Sequence, residues 1–273
     1  MPRNLHLRTT FDAIAQDYDE LRPRYPEPLI EDVVSRSGIA PGGRILEIGC
    51  GPGTATLPFA RRGYTMLCLE LGPNMAKLAA AKCSPYPGVE IQTTAFENWP
   101  LQPQAFDLVL SASAFHWIPT EMGYTKSAAA LKEGGTLALS WIRHLAADTP
   151  FFRAMKAYWE DNAPQLAAES RKPPPGELEK LTVADLDASG LFGPVEVRRY
   201  GWTRTYSAEQ YARLLGTYSP VQNLEETRRR ELLGGVRDLA ERHGGLIERP
   251  YEALLYLADL RYPLLRGEKR SIR

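Results

Sequence analysis

Residues 44–56 read Arg44-Ile45-Leu46-Glu47-Ile48-Gly49-Cys50-Gly51-Pro52-Gly53-Thr54-Ala55-Thr56, and they decide the fold. An apolar run interrupted by one acid, Ile45–Ile48, reads as a buried strand. It enters a loop with glycines at alternate positions, Gly49, Gly51 and Gly53, and a helix is predicted from about Thr54 to Arg62. Strand, glycine loop and helix are the parts of a nucleotide-binding βα unit. Glycine lets the backbone turn sharply and lie close against a ligand, and the first N–H groups of a helix lack intrahelical partners.

The spacing narrows the choice of nucleotide. A dinucleotide fingerprint needs G-x-G-x-x-G, but here the last glycine falls one residue early and Thr54 takes its place. The phosphate loop G-x-x-x-x-G-K-[ST] is absent from the sequence. Glu47, shortly before the first glycine, would oppose a diphosphate and suits a ligand bearing a cation. The run Glu-Ile-Gly-Cys-Gly-Pro-Gly (47–53) resembles the first motif of class I S-adenosylmethionine-dependent methyltransferases. The resemblance implies an α/β fold with a doubly wound, mostly parallel seven-stranded sheet and a helical cap. It also implies S-adenosylmethionine as cofactor, its methionyl part packed on Glu47, Gly49, Cys50 and Gly51.

The second acid strengthens this reading. Thr65–Glu70 is a short apolar run ending in a carboxylate, as a buried parallel strand does. A lone Glu after a strand is usually a solvated loop residue. Glu70, however, follows Gly49 at the distance of the acid that accepts ribose hydroxyls at the tip of a second strand. The resemblance continues through Leu71-Gly72-Pro73-Asn74-Met75, where Leu71 and Met75 are expected beside the adenine and 74–83 is read as helical. Gly88–Thr93 reads as a third strand. The segment Ala95–Leu101 resembles the family's Gly-Asp-Ala-Glu-x-Leu-Pro, but the Asp that often holds the adenine amino group is Ala95 here. Adenine recognition then falls to backbone groups near Phe96, to apolar packing, and to Glu97 if it turns inward.

Ala105–Ala112 is a fourth strand, and the resemblance places Ser111 and Ala112 at its end against the cofactor. Ligands of doubly wound folds sit beyond the carboxyl ends of strands, where Phe115-His116-Trp117 follows. A His beside a Trp is commonly a packed aromatic pair. His116 is nevertheless the candidate catalytic residue, being the histidine placed where the methyl group should lie; His6, His144 and His243 carry no assignment. A helix ending over Lys126–Lys132, a turn at Glu133-Gly134-Gly135 and a fifth strand over Thr136–Ile142 reproduce a packing segment of the family.

Upstream, Phe11, Ile14, Ala15, Tyr18 and Leu21 share one helix face, Arg22–Pro26 interrupts it, and Pro28–Ser37 resumes a helix. The pattern Phe-x-x-Ile-Ala-x-x-Tyr-x-x-x-Arg-Pro-x-Tyr-Pro resembles the N-terminal segment of relatives of trans-aconitate methyltransferase. There the segment closes over the cofactor, which implies contacts from Tyr18 and Arg22, the latter a forked partner for the methionyl carboxylate. Arg24, Tyr25, Trp117 and Tyr218 are the candidate acceptor-binding residues.

Beyond Arg143 the signal weakens. Helices are expected over Thr149–Asn162, Leu178–Ser189, Ser207–Leu215 and Leu224–His243, with a strand over Val195–Tyr206. A stiff loop is read at Lys172–Gly176, and Ser219 either contacts substrate or caps a helix. Tyr251–Leu260 is the last, antiparallel strand, and Arg266–Arg273 a basic tail. The whole reads as a single domain. Its parts are a core with an N-terminal lid (1–142), a helical insertion and sixth strand (143–206), a cap (207–245), and a last strand and tail (246–273).

Composition bounds the partners. Lys+Arg and Asp+Glu are each 33, so no electrostatic footprint for nucleic acid or an anionic membrane is expected. Cys50, Cys68 and Cys83 lack metal or redox spacing and are read as packing thiols, with no metal site. No apolar stretch approaches the roughly 20 residues of a membrane span, and no signal-peptide pattern opens the chain, so a cytoplasmic location is expected. The oligomeric state is unreadable.

The expected chemistry is in-line methyl transfer to a small-molecule acceptor, at a carboxylate or hydroxyl oxygen. A carboxylate needs no base and Arg24 could hold it; a hydroxyl needs one, and His116 has a reference pKa near 6.5. An amine would lose its proton to water. Two alternatives stay open: a nucleotide-dependent oxidoreductase on a similar fold, and a non-catalytic protein that binds the cofactor or a lipid.

Overall fold

The computed structural model describes residues 11–169 and 177–261. The readings at His6, Lys172–Gly176 and Arg266–Arg273 lie outside them. The strands are β1 (Arg44–Ile48), β2 (Thr65–Glu70), β3 (Val89–Thr93), β4 (Phe106–Ala112), β5 (Leu131–His144), β6 (Glu196–Ser207) and β7 (Leu246–Asp259). They form one sheet in the order β3-β2-β1-β4-β5-β7-β6. The first five are parallel, and β7 runs antiparallel to both β5 and β6. Strand order reverses between β1 and β4, so the carboxyl ends of these two border the crevice where such folds take ligands.

The helices are α1 (Ala15–Leu21), α2 (Glu27–Ser37), α3 (Thr56–Ala60), α4 (Pro73–Cys83), α5 (Thr120–Ala130), α6 (Pro150–Asn162), α7 (Pro164–Glu169), α8 (Glu177–Ser189), α9 (Ala208–Gly216), α10 (Ser219–Gln222) and α11 (Glu226–Arg242). The period of two along each strand decides which helices lie where. Leu46, Ile48, Leu67, Leu69, Val109 and Leu139 meet Tyr124 and Ala128 of α5 and Leu186 of α8. Ile45, Met66, Cys68, Leu108 and Leu110 meet Leu29, Ile30 and Val33 of α2, Phe59 of α3 and Ala79 of α4. Strands covered on both faces read as continuous apolar runs, which is how β1, β2 and β4 were legible. A third cluster joins Phe151 and Phe152 of α6, Tyr211 and Leu214 of α9 and Val236 of α11 to Tyr206 and Tyr251, so the cap has a core of its own.

Several boundaries differ from expectation. The helix read over Thr54–Arg62 is reduced to α3, because the loop stays wound as turns through Ala55, with Gly53 at φ +80° and its N–H on the Cys50 carbonyl at 3.0 Å. Leu131 and Lys132 leave the helix for β5: Leu131 pairs with Phe106, and the register then jumps so that Leu108 faces Thr136. Gly134, at φ +74°, lies inside the resulting bulge. β7 begins at Leu246, five residues before the expected strand, because its ladder with β6 extends to the pair Ser207↔Leu246. Ser219 caps nothing; Tyr218 is the N-cap residue of α10, without a side-chain bond. Ser207 and Gln210 form a reciprocal capping box on α9.

Candidate active site

The loop after β1 is fixed by backbone geometry. Gly49 N–H and Cys50 N–H both donate to the Leu69 carbonyl, at 2.8 and 3.1 Å. Gly49 has φ +70°, and a Cβ there would stand 2.4 Å from the Ala114 Cβ. Only glycine combines that dihedral with that approach. At Gly51, by contrast, a Cβ would meet nothing within 4 Å, so the loop borders open space there.

Glu70 ties two loops together at that opening. Its Oε2 accepts from Gly51 N–H at 2.7 Å and its Oε1 from Gly72 N–H at 2.8 Å. Each oxygen keeps a second lone pair for a hydroxyl, which fits a ribose diol. Burial pushes this carboxyl above its ordinary range while the backbone donors pull it down. Asp12 of the lid lies close by: its Oδ1 accepts from Asn74 N–H and Met75 N–H, at 2.7 and 3.1 Å, capping α4 from a distant stretch of chain. Leu71 is half-buried and Met75 buried beside it.

Glu47 is not where the sequence reading put it. Strand alternation turns it to the face of Ile45, beneath α3, where it is 0% exposed. Its Oε2 accepts from the Thr56 hydroxyl at 2.6 Å and the Cys68 thiol at 3.6 Å, while Oε1 has no hydrogen-bond partner. Burial raises its pKa to about 7. The carboxylate underlies the glycine loop and does not line its open side. Cys50, Cys68 and Cys83 are buried free thiols.

Another assignment also changes. Ser111 is 0% exposed and donates to the Ile48 carbonyl at 2.9 Å, joining β1 to β4. Phe96 turns its ring inward against Trp99, 6.2 Å between centroids, so what it offers a ligand is backbone. Ala112 stays half-buried at the end of β4.

On the lid side, Arg22 sits between two tyrosine rings, 4.9 Å from the centre of Tyr18 and 4.0 Å from that of Tyr218. Its Nε donates to the Thr217 hydroxyl at 2.8 Å and its Nη2 to the Thr217 carbonyl at 2.7 Å. Among the described residues it has no carboxylate partner. Arg24, expected to hold an acceptor, is exposed and already paired with Asp19 at 3.0 Å. Tyr25 Oη and Ser113 Oγ are 2.8 Å apart, and burial holds the phenol neutral, far above its ordinary range. Ser113 takes φ +61°, a costly dihedral for serine, where the parallel ladder of β4 and β5 ends, and its N–H is held by the Ser140 carbonyl at 2.7 Å.

His116 follows on a 3-10 turn, Phe115–Trp117. Its Nδ1 accepts from the Trp141 indole N–H at 3.1 Å, so the neutral ring carries its proton on Nε2. Trp117 packs between His116, tilted 4.7 Å away, and Phe11 of the lid, edge-on 6.1 Å away. Asp12, Ser113, Trp141 and Thr217 were missed because each acts through partners remote in sequence. The glycine-like dihedral at Ser113 leaves no mark in the sequence at all.

Comparison with known proteins agrees with this geometry. Residues 45–135 match the family described as methyltransferase domain. A methyltransferase-like protein of Schizosaccharomyces pombe, itself uncharacterized, is 24% identical over 85% of this chain and 86% of its own length. Trans-aconitate 2-methyltransferase of Mycobacterium tuberculosis is 31% identical over 42% of this chain and 38% of its own. Among solved structures, a candidate type II methyltransferase from Anaeromyxobacter dehalogenans superposes with a TM-score of 0.61 at 19% identity, covering 88% of this chain and 97% of that one. Phosphoethanolamine N-methyltransferase 2 of Haemonchus contortus, bound to S-adenosylhomocysteine, gives 0.54 at 16% identity over 94% of this chain and 59% of that one. Identities this low show the fold alone. Glycine loop, β2 acid, sheet order and the domain match over residues 45–135 converge: the chain has the class I methyltransferase fold and is similar to S-adenosylmethionine-dependent methyltransferases.

Proposed function

We propose that this enzyme methylates an oxygen of a small acidic molecule, a carboxylate or a hydroxyl on one. The observation that carries the reading is Arg22, a half-buried guanidinium at the mouth whose described contacts are a hydroxyl, a carbonyl and two rings. A fixed positive charge without a carboxylate favours an anion, from the cofactor's methionyl end or from the acceptor. Of the other residues assigned to the mouth in this reading, Tyr18, Tyr25, Ser113, His116, Trp117 and Tyr218, none is an acid. The resemblance to trans-aconitate 2-methyltransferase over 117 residues supports the same class.

When bound, S-adenosylmethionine supplies a methyl group already activated on a sulfonium. The chain's task is then alignment and exclusion of water. The glycine loop and Glu70 hold the cofactor, and Tyr25 and Ser113 offer neutral hydroxyls to an acceptor oxygen. His116, its Nδ1 taken by Trp141, donates from Nε2 to an acceptor that arrives ionised; a hydroxyl acceptor would need the other tautomer, with Nε2 free to take its proton.

The test is calorimetric titration with S-adenosylmethionine and its demethylated product, then transfer of labelled methyl to a panel of small carboxylic acids, phenols and amines. Saturable cofactor binding with transfer to acids or hydroxyls is expected. Transfer confined to amines would overturn the acceptor class, and failure to bind the cofactor would overturn the reading itself.

A further inference from the structure

Lys126 belongs to none of the motifs, yet it holds the turn that replaces the family's adenine-binding acid. It stands on α5 and reaches across to residues 96–99. Its Nζ donates to the carbonyls of Phe96, Glu97 and Trp99 at 2.7, 3.0 and 2.6 Å. The same ammonium lies 5.2 Å from the centre of the Phe96 ring and 5.6 Å from that of Trp99. Three converging carbonyls and two ring faces make the coordination shell of a cation, here supplied covalently by the chain.

Accounting for the turn's remaining polar groups gives the consequence. The Ala95 carbonyl accepts from Asn98 N–H and Trp99 N–H, both at 3.0 Å. The carbonyls of 95, 96, 97 and 99 are therefore all engaged. Among the described residues, the N–H groups of Ala95 and Phe96 have no hydrogen-bond partner. The turn is fastened beside the ribose acid, because Thr94 N–H donates to the Glu70 carbonyl at 2.8 Å.

We propose that Lys126 determines how the cofactor's base is read: by gathering the carbonyls of Phe96, Glu97 and Trp99 onto one ammonium, it leaves the N–H groups of Ala95 and Phe96 open to a ligand beside the ribose acid. The adenine is then held through its ring nitrogen acceptors, and its 6-amino group goes unread. This rests on the S-adenosylmethionine reading. It explains how Ala95 is tolerated where relatives carry an acid. Lys126 is a positioning residue, acting through the backbone it orders.

The experiment compares S-adenosylhomocysteine with its analogue bearing hydrogen in place of the 6-amino group, by calorimetry on the full chain. The wild type should bind the two within about threefold, whereas a read amino group is worth about tenfold or more. Lys126→Met should weaken both by at least about tenfold and, with the carbonyls released, raise the preference for the amino-bearing ligand above the wild-type ratio. Lys126→Arg, which keeps a cationic donor, should recover much of the affinity. A wild-type preference of tenfold or more for the amino group overturns the proposal, as does a folded Lys126→Met that binds both ligands as the wild type does. If Lys126→Met does not fold, the wild-type ratio decides alone. A wild type that binds neither ligand removes the cofactor reading, and the inference falls with it.

Discussion

The guanidinium of Arg22 lies 4.0 Å over the Tyr218 ring, joining the start of the chain to the cap. Around this contact, Arg204 of β6 donates to the carbonyls of Glu20, Leu21 and Arg22, satisfying the end of α1, and Arg213 of α9 pairs with Asp17 and Glu20. Lid and cap are thus one bonded layer over the crevice.

Breaking that layer at its centre should loosen the cofactor. Arg22→Ala is expected to weaken S-adenosylhomocysteine binding by tenfold or more, the worth of a charge-assisted bond plus a cation–π contact. Tyr218→Ala, which removes one ring and leaves the charge, should cost about threefold. Calorimetry on both variants checks the order, and equal or absent effects would remove Arg22 from the cofactor site.

Glu70→Gln replaces one accepting oxygen by an amide that must face the Gly51 or Gly72 N–H. Two donors then oppose each other at the opening. The expected loss is about 1–3 kcal/mol of cofactor affinity, and titration with adenosine should show the same loss, since the ribose is the part addressed.

The loop glycines should separate stability from binding. Gly49→Ala combines φ +70° with a 2.4 Å clash and is expected to cost more than about 2 kcal/mol in a denaturant titration. Gly51→Ala has the strained dihedral, φ +55°, but open space, so about 1 kcal/mol is expected, together with a larger loss of cofactor affinity.

Glu47 makes folding pH-dependent, with a sign opposite to that of a salt-bridged acid. Its folded pKa is raised to about 7 from an unfolded value of 4.5, so the native state holds a proton the unfolded chain gives up. Its contribution is fully present below about pH 4.5 and is lost as pH rises to about 7, by at most about 3 kcal/mol. Glu47→Gln should abolish that loss and flatten the stability profile between pH 5 and 7. A profile unchanged by the substitution would show that Thr56 and the loop stabilise the ionised form.

The elements with buried, continuous apolar runs were legible, since β1, β2 and β4 owe their sequence to two covered faces. Gly49, Gly51 and Glu70 were legible because spacing along one chain brings them together. Glu47 misled because its neighbours in sequence are loop residues, whereas its direction is set by strand alternation. Arg24 and Arg22 could not be ranked, since their partners, Asp19 and Thr217, lie on different elements. Lys126 left no trace, being one lysine on a helix until the carbonyls it gathers are seen.

The pairing of Ser207 with Leu246 has one more consequence. Residues 208–245 leave and re-enter the sheet across a single strand spacing, sealed by Ala208 N–H on the Gly245 carbonyl at 2.9 Å. The segment therefore hangs from one point of the sheet: β6 and β7 close the ladder beneath it, and Tyr206 and Tyr251 pack its apolar side chains. Exchange of that one stretch between relatives is expected to change what covers the crevice while keeping the seven-stranded frame, so long as the incoming stretch packs on Tyr206 and Tyr251.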